Sequence, residues 1–140
     1  MNSVPKYIFK EEEYMKWIKD EYEDFTLVEY TGRKYRQTKV RGFSLPGDVD
    51  SEGRYGYSSG LWMGANSFAP GGVYEVHKHL TCQFYYVLSG RAKVRIGEEE
   101  RIAEKGTWIF IPPGVDHYIE NIGDKDFTYF LIGGQPPKEK

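Results

Sequence analysis

The chain has 140 residues, which is enough for one folded domain with its own core but too short for two. Hydrophobic residues make up 39% of it and aromatic residues 16%; with sixteen glycines, this composition favours a globular protein of strands and turns. The net charge of -2 argues against a dedicated nucleic-acid binder. A single cysteine, Cys82, excludes an internal disulfide, and no signal-peptide pattern or membrane-length apolar run is visible. We therefore expect a cytoplasmic protein.

An amphipathic helix is predicted over residues 10–25, KEEEYMKWIKDEYEDF. Its large apolar side chains fall on one stripe, which consists of Tyr14, Trp17, Ile18, Tyr22 and Phe25. Three glutamates at residues 11–13 suit the positive end of the helix dipole. We expect the helix to cover one side of a sheet or to pack on a partner chain.

Five cations fall within residues 31–42, TGRKYRQTKVRG: Arg33, Lys34, Arg36, Lys39 and Arg41. One interpretation is a solvated edge strand, because positive charges on an edge discourage aggregation. The other is that one or two of the arginines face an anionic substrate. Residues 43–60 have the Pro, Gly and Ser content of a loop.

Short strands at regular spacing are predicted from residue 61 onward, near 61–68, 73–79, 83–88, 91–96, 107–111, 116–121 and 127–133. Glycine-containing turns separate them, with LSGR and IGEE as the tightest. Because no helical pattern interrupts this series, we expect an all-β barrel or jelly roll.

The three histidines of the chain all fall in this strand region. If the strand ran unbroken, one face would carry His77, His79, Gln83 and Tyr85, since residues two apart share a face. Two such imidazoles, joined by His117 from a neighbouring strand, can grip a metal ion and leave positions open for water or substrate. The alternative is that each histidine satisfies a local hydrogen bond.

Two glycine-framed motifs carry a family resemblance. Residues 71–90 read G-x5-H-x-H-x3-Q-x6-G, which resembles the first cupin motif, except that Gln83 stands where that family usually has glutamate. Residues 106–121 read G-x5-P-x-G-x2-H-x3-N and match the second cupin motif at every defined position. Fifteen residues separate Gly90 from Gly106, as in small members of the superfamily.

The resemblance covers about residues 60–134 and implies a single-domain, all-β cupin jelly-roll barrel with a short N-terminal helix. We assign residues 1–38 to that helix and a leading strand, 39–134 to the barrel, and 135–140 to a mobile tail. The resemblance also implies one divalent metal ion per chain (Fe, Mn, Zn or Ni) inside the barrel, with the ligands His77, His79, Gln83 and His117. The family usually assembles as dimers, so we expect a homodimer, formed by the aromatic helix and the exposed edge at 31–42.

Glutamine at position 83 changes the charge of such a site. An amide neutralises none of the metal's charge, so the site keeps a formal charge of +2, binds metal more weakly and favours anionic or enolate-like substrates. Gln83 either ligates the metal or holds a bound water beside three histidines. The first arrangement resembles the manganese-dependent hydroxynitrile lyases of bacteria. Three-histidine sites resemble the iron dioxygenases that cleave β-diketones.

Further side chains are expected around the metal. Tyr85 is the candidate catalytic acid, base or oxyanion donor, or else plain barrel filling. Ile119 shares the face of His117 and should form an apolar wall. The strand at 61–68 has one face with Trp62, Asn66 and Phe68 and another with Met63, Ala65 and Ser67; the first set would give the more aromatic pocket. Cys82 should point away from the cavity as a buried, inert thiol, and Asn121 should satisfy backbone groups at a strand end.

The function expected from the sequence is a mononuclear metal enzyme acting on a small oxygen-bearing substrate of the carbonyl or enol type. Iron would make it a dioxygenase, whereas manganese, zinc or nickel would favour a redox-neutral lyase, isomerase or cyclase. The alternative is a non-catalytic cupin that binds a sugar or another small ligand. The same motifs also resemble the cupin half of phosphomannose isomerase and guanylyltransferase fusions, in which case residues 33–41 would hold a phosphate. The expected partners are a small molecule and a second copy of the chain, with no nucleic acid and no membrane.

Overall fold

One curled antiparallel sheet dominates the computed structural model, which describes residue 8, residues 10–45 and residues 61–134. Its strands are β1 (Glu23–Val28), β2 (Lys34–Ser44), β3 (Leu61–Phe68), β4 (Val73–His77), β5 (Cys82–Ser89), β6 (Ala92–Ile96), β7 (Glu99–Ala103), β8 (Trp108–Ile111), β9 (His117–Asn121) and β10 (Phe127–Gly134). The order across the sheet is β7-β6-β9-β4-β2-β3-β10-β5-β8, with β1 paired to β2. The predicted all-β barrel fold with a short N-terminal helix is confirmed.

The N-terminal helix is much shorter than the sequence predicts. Helix α1 spans Glu11–Tyr14, a 3₁₀ turn follows over Met15–Trp17, and the backbone is already extended at Ile18. The second half of the predicted helix, 10–25, is therefore wrong, because residues from Glu23 onward pair with β2 as strand β1. The run FTLV has the aromatic and β-branched content of a strand, and cross-strand pairing outweighs the helical stripe.

The short helix covers one side of the sheet, which is one of its two predicted roles. The Tyr14 ring lies 5.8 Å from Phe43 and 6.0 Å from Phe130, and Trp17 packs edge-on against Phe43 at 5.9 Å. These contacts cover Phe43 of β2 and Phe130 of β10, which are half-buried. Among the residues described, no helix is long and apolar enough to cross a membrane.

All seven strands predicted from residue 61 onward are present, and six of them lie within one residue of the expected bounds at each end. The exception in extent is the strand predicted at 73–79, which ends at His77. Strand β7 was not predicted, because its sequence EERIA carries three charges and lacks a hydrophobic alternation. The predicted tight turn before it is present, with Gly97 at a φ of 59°.

Strand β2 lies in the interior of the sheet, so the edge-strand interpretation of residues 31–42 is wrong. It pairs with β1, with β3 and, at Gln37 and Tyr74, with β4. The arginines of residues 31–42 are committed to carboxylates: Arg33 to Asp116 at 2.6 Å, Arg36 to Asp24 at 3.4 Å and Arg41 to Asp126 at 3.0 Å. Because β2 is paired within the sheet, it offers no free edge to a partner copy. The homodimer therefore stays a prediction, and residues 31–42 do not supply the edge expected for its interface.

The core fills the concave side of the sheet and fixes which face of β3 points inward. Phe68 is fully buried in it, and the Asn66 amide donates to the Tyr129 hydroxyl at 3.1 Å. Ser67 instead bonds Thr128 at 2.8 Å on the opposite side. The inward set is thus the more aromatic one, with the half-buried Trp62 lying against Gly133.

Turns at glycine and proline aim the strands as expected. Gly71 and Gly114 take positive φ angles of 80° and 72°, which β-carbon-bearing residues rarely adopt. Asn121 donates to the carbonyls of Phe68 and Lys125 and accepts from the Gly123 amide, so its predicted backbone role is confirmed. Of the predicted loop at 43–60, residues 43–44 belong to β2 and residues 46–60 lie outside the described part, as does the predicted tail at 135–140.

Candidate metal centre

The three histidines converge from two strands and one loop. His77 ends β4, His117 begins β9, and the two residues are opposite each other in the antiparallel pair. A register shift between Tyr74 and His77 marks a β-bulge, a device that re-aims side chains near functional sites. The condition for one shared face, an unbroken strand from 77 to 85, is not met, because β4 stops at His77 and β5 starts at Cys82. His79 reaches the site from the loop between them.

The loop position of His79 is fixed by backbone hydrogen bonding. Its carbonyl accepts the Gly114 N–H at 2.8 Å, which ties the loop to the proline–glycine turn that precedes His117. The ring centroids lie 4.0 Å apart for His77 and His117, 4.7 Å for His79 and His117, and 5.8 Å for His77 and His79. One ligand nitrogen from each ring lies within 4.8 Å of the others.

Each imidazole is oriented by a hydrogen bond at one nitrogen and left free at the other. Nδ1 of His77 lies 2.6 Å from the Glu75 carbonyl, that of His79 2.9 Å from the Thr81 carbonyl, and that of His117 3.0 Å from the Val115 carbonyl. A carbonyl only accepts, so each Nδ1 carries the proton and each Nε2 has a lone pair. All three Nε2 atoms are buried without a hydrogen-bond partner in the described part of the chain.

This arrangement decides between the two interpretations of the histidines. Local hydrogen bonds do exist, but they satisfy only one nitrogen of each ring. Three buried, converging lone pairs are costly to leave unpaired, and they are the donor set that imidazole presents to a divalent metal ion. The residues present therefore fit a three-histidine metal centre.

Burial also keeps the three rings neutral. It lowers the pKa of His77 to about 3, helped by the neighbouring His117, and lowers the pKa of His117 to about 4. The pKa of His79 is lowered for the same reason, against the opposing effect of its contacts with Thr81 and Gln83. A neutral imidazole is the form that binds a metal ion.

Two tyrosines that the sequence did not single out stack against His77. Tyr35 of β2 stacks on one face of its ring at 4.3 Å and 9°, and Tyr74 of β4 lies against it at 4.0 Å and 16°. Alternation along β4 would place Tyr74 and His77 on opposite faces. The bulge between them reverses that phase, and no sequence signal marks it.

Comparison with known proteins gives the family. Residues 66–133 match the model of the cupin domain, and this stretch includes all three histidines. The chain is a member of the cupin superfamily. A stretch of 50 residues is 44% identical to the uncharacterised protein MJ1618 of Methanocaldococcus jannaschii. This stretch covers 35% of this chain and 40% of the length of that relative.

Solved cupin-like structures support the fold. A predicted oxalate decarboxylase from Thermotoga maritima is 19% identical, with a TM-score of 0.57 over 81% of this chain and 92% of its own. KdgF from a Halomonas species is 17% identical, with a TM-score of 0.56 over 69% of this chain and 80% of its own. The protein TT1209 from Thermus thermophilus is 28% identical, with a TM-score of 0.52 over 58% of this chain and 79% of its own.

Gln83 of this cupin lies on β5 beside the histidines, and a hydrogen bond from Tyr85 orients its side-chain amide. Its Oε1 accepts the Tyr85 hydroxyl at 2.9 Å. Tyr85 is buried and stacks on Tyr129 at 4.3 Å, and the Tyr129 hydroxyl accepts from Asn66. Burial, followed by the nearby tyrosines, raises the pKa of Tyr85 well above its ordinary value. Tyr85 is therefore a neutral hydrogen-bond donor, and its proton is held toward Gln83.

The remaining candidate residues take different places in the cupin barrel. Ile119 and Phe68 are fully buried in the core beneath the site. Cys82 lies on the side of β5 opposite Gln83, as expected, but it is half-buried instead of fully enclosed. A cleft of about 540 Å³ lies between β7 and β8 and is not lined by the histidines. The orphaned nitrogens therefore define the site better than the cleft does.

Proposed function

We propose that this cupin is a mononuclear metal-dependent enzyme that acts on a small oxygen-bearing substrate of the carbonyl or enol type. The observation that carries the proposal is the set of three buried Nε2 atoms of His77, His79 and His117, which lie close together and lack any other partner among the described residues. When bound there, a divalent metal ion polarises a carbonyl oxygen or stabilises the negative charge of an enolate.

The donor set favours an anionic or enolisable substrate. Three neutral imidazoles and one amide supply no negative charge, so a divalent ion keeps its full charge towards the ligand that it binds. Tyr35 and Tyr74 both stack against the His77 ring, and Tyr85 orients the Gln83 amide. The chain thus supplies an ordered site before any substrate arrives, which is what catalysis by a positioned metal requires.

The related structures support a small-molecule role only in outline. One of them bears the description of a predicted oxalate decarboxylase, whose substrate by name is a small dicarboxylate. At 19% identity to this chain, that structure supports the shared fold but says nothing about the reaction. The choice between an iron dioxygenase and a redox-neutral lyase, isomerase or cyclase therefore depends on the metal.

The phosphate-binding variant of the alternative function has little support. Three of the five cations in residues 31–42 are paired with carboxylates within the chain, which leaves less charge to receive a phosphate. A non-catalytic cupin that binds a neutral sugar remains the competing function.

Elemental analysis of protein purified without chelator and without a nickel column tests the proposal. We expect about one metal ion per chain, lost in the His77→Ala variant. Iron directs the assays to oxygen uptake with β-diketones and catechols; manganese, zinc or nickel directs them to anaerobic lyase and isomerase assays. Absence of metal, even after reconstitution, would refute the metalloenzyme. Metal without turnover on either substrate panel would favour the binding cupin.

A further inference from the structure

Glu29 is a carboxylate buried behind the metal centre. It follows β1 directly and opens the turn to β2, where its N–H donates to the Arg33 carbonyl at 2.9 Å. Its side chain is only 2% exposed, and burying a carboxylate is costly unless its oxygens are hydrogen-bonded. Oε1 accepts the Thr31 hydroxyl, while Oε2 accepts the Lys78 N–H at 2.9 Å and the Arg33 guanidinium at 3.0 Å.

The bond to Lys78 reaches the chain between two of the histidines. Lys78 separates His77 from His79, and its N–H belongs to the peptide group that directly follows His77. This segment has left β4 and is not yet part of β5, so the sheet does not hold it. Glu29 therefore fixes a peptide group whose orientation decides where the chain carries His79.

Arg33 extends the same connection to the third histidine. Its Nη2 atom bonds Glu29 at 3.0 Å and Asp116 at 2.6 Å, and Asp116 immediately precedes His117. Asp116 is in turn held by its carbonyl, which accepts the Gly97 N–H at 2.8 Å. We call this connection the Glu29–Arg33–Asp116 bridge. At one end, Glu29 bonds Lys78, which lies between His77 and His79. At the other end, Asp116 is the residue before His117.

The bridge belongs to a part of the chain that lies before the matched cupin region, residues 66–133, apart from Asp116 itself. The hairpin of β1 and β2 also supplies Tyr35, whose ring stacks on His77 at 4.3 Å. One short segment thus contacts the metal centre through a carboxylate, a guanidinium and an aromatic ring. A turn that merely joined two strands would not need a buried charge at this position.

We propose that Glu29 is a positioning residue for the metal centre. It holds the three histidines at the spacing that a metal ion requires, directly through the Lys78 amide and indirectly through Arg33 and Asp116. The inference depends on the metal centre of the proposed function but not on the reaction. A site must hold its ligands to within about 0.5 Å, and loss of a supporting partner typically weakens metal binding by about 10–100-fold.

The test is a titration of the metal-free protein with Co²⁺ as the probe ion. We expect Glu29→Ala to weaken Co²⁺ binding by about 10–100-fold. Glu29→Gln should have a smaller effect, since its amide oxygen can still accept the Lys78 N–H but has no charge to hold Arg33. The matched control is Glu104→Ala, which removes an exposed carboxylate bonded to Arg91 at 3.1 Å and should leave Co²⁺ binding unchanged.

A second readout separates positioning from general stability. The visible absorption of bound Co²⁺ reports the ligand geometry, and we expect Glu29→Ala at saturation to alter it while Glu104→Ala does not. A folded Glu29→Ala variant with wild-type Co²⁺ affinity and spectrum would overturn this inference alone. Failure of the wild-type protein to bind Co²⁺ would overturn the metal centre and the inference together. If Glu29→Ala does not fold, Glu29→Gln and Asp116→Asn decide the question by the same two readouts.

Discussion

The Tyr85 hydroxyl donates a hydrogen bond of 2.9 Å to the amide oxygen of Gln83, two residues earlier on the same face of β5. This bond sets which way the Gln83 amide faces and uses one of the two lone pairs of its oxygen. Because burial raises the pKa of Tyr85 well above its ordinary value, the hydroxyl stays protonated at neutral pH. Its first role is to orient Gln83, and proton transfer would come second.

Removing the hydroxyl of Tyr85 should therefore cost stability before it costs chemistry. We expect Tyr85→Phe to lower the free energy of unfolding of the metal-free protein by about 0.5–1.5 kcal/mol, because the half-buried amide oxygen of Gln83 loses a hydrogen bond. Urea unfolding measures this. Tyr118→Phe is the control, since Tyr118 bonds Glu120 at 2.7 Å from a half-buried position and should change stability by about 0.5 kcal/mol or less. Equal stability of both variants would contradict the orienting role.

A carboxylate at position 83 should bind metal more tightly. Gln83→Glu keeps the acceptor for Tyr85 and adds one negative charge, which at ~4 Å from a cation is worth several kcal/mol at an effective dielectric near 20. Burying the carboxylate offsets part of this gain. We expect affinity for Zn²⁺ to rise by about tenfold or more, measured by competition with a chelating dye. Gln37→Glu on β2 is the matched control, and a Zn²⁺ affinity of Gln83→Glu no higher than that of the wild type would show that Gln83 lies away from the ion.

Each histidine should be needed for stoichiometric metal. We expect His77→Ala, His79→Ala and His117→Ala to purify with well under one metal ion per chain, because two imidazoles alone rarely retain a divalent ion through purification. Elemental analysis beside circular dichroism measures metal and fold together. Retention of full metal content by a folded His79→Ala variant would exclude this loop residue from the ligand set.

Much of this fold was predictable from the sequence, and the reasons differ by region. In the strands after residue 61, apolar and polar side chains alternate, and turns that contain glycine with positive φ separate the strands. Both the alternation and the turn residues predict these strands. The segment at 10–25 carries a helical stripe that is as regular, but the helix ends before Ile18 and residues 23–25 pair with β2 as the start of β1. There, the pairing of β1 with β2 outweighs the local helical preference, and this long-range pairing cannot be read from the sequence pattern.

The site divides in the same way. The motif spacing predicted that His77, His79 and His117 belong together, and they do converge. It did not predict the stacking of Tyr35 and Tyr74, because a β-bulge shifts the phase of β4 and the partner strand comes from a distant part of the sequence. The positive run at 31–42 was also misplaced, since charge alone cannot show that a strand is interior when carboxylates pair with it.

The depressed histidine pKa values predict how stability depends on pH. In the folded metal-free protein, burial lowers the pKa of His77 to about 3 and that of His117 to about 4, whereas in the unfolded chain both return to near 6.5. Below pH 6.5 the unfolded state therefore binds protons that the folded state does not. The stabilising effect is fully present above pH 6.5 and is lost progressively as the pH falls toward about 4 and then 3.

Together, these two histidines should lower the free energy of unfolding by about 2–3 kcal/mol between pH 7.5 and pH 5.5. Urea unfolding of the metal-free protein at pH 7.5, 6.5 and 5.5 measures the slope in a range where carboxylates stay ionised. The double variant His77→Gln/His117→Gln should have a shallower slope over the same range, since neither glutamine titrates. A wild-type slope as shallow as that of the double variant would mean that both histidines titrate in the folded protein as they do in the unfolded chain, and that their rings are therefore not buried as described.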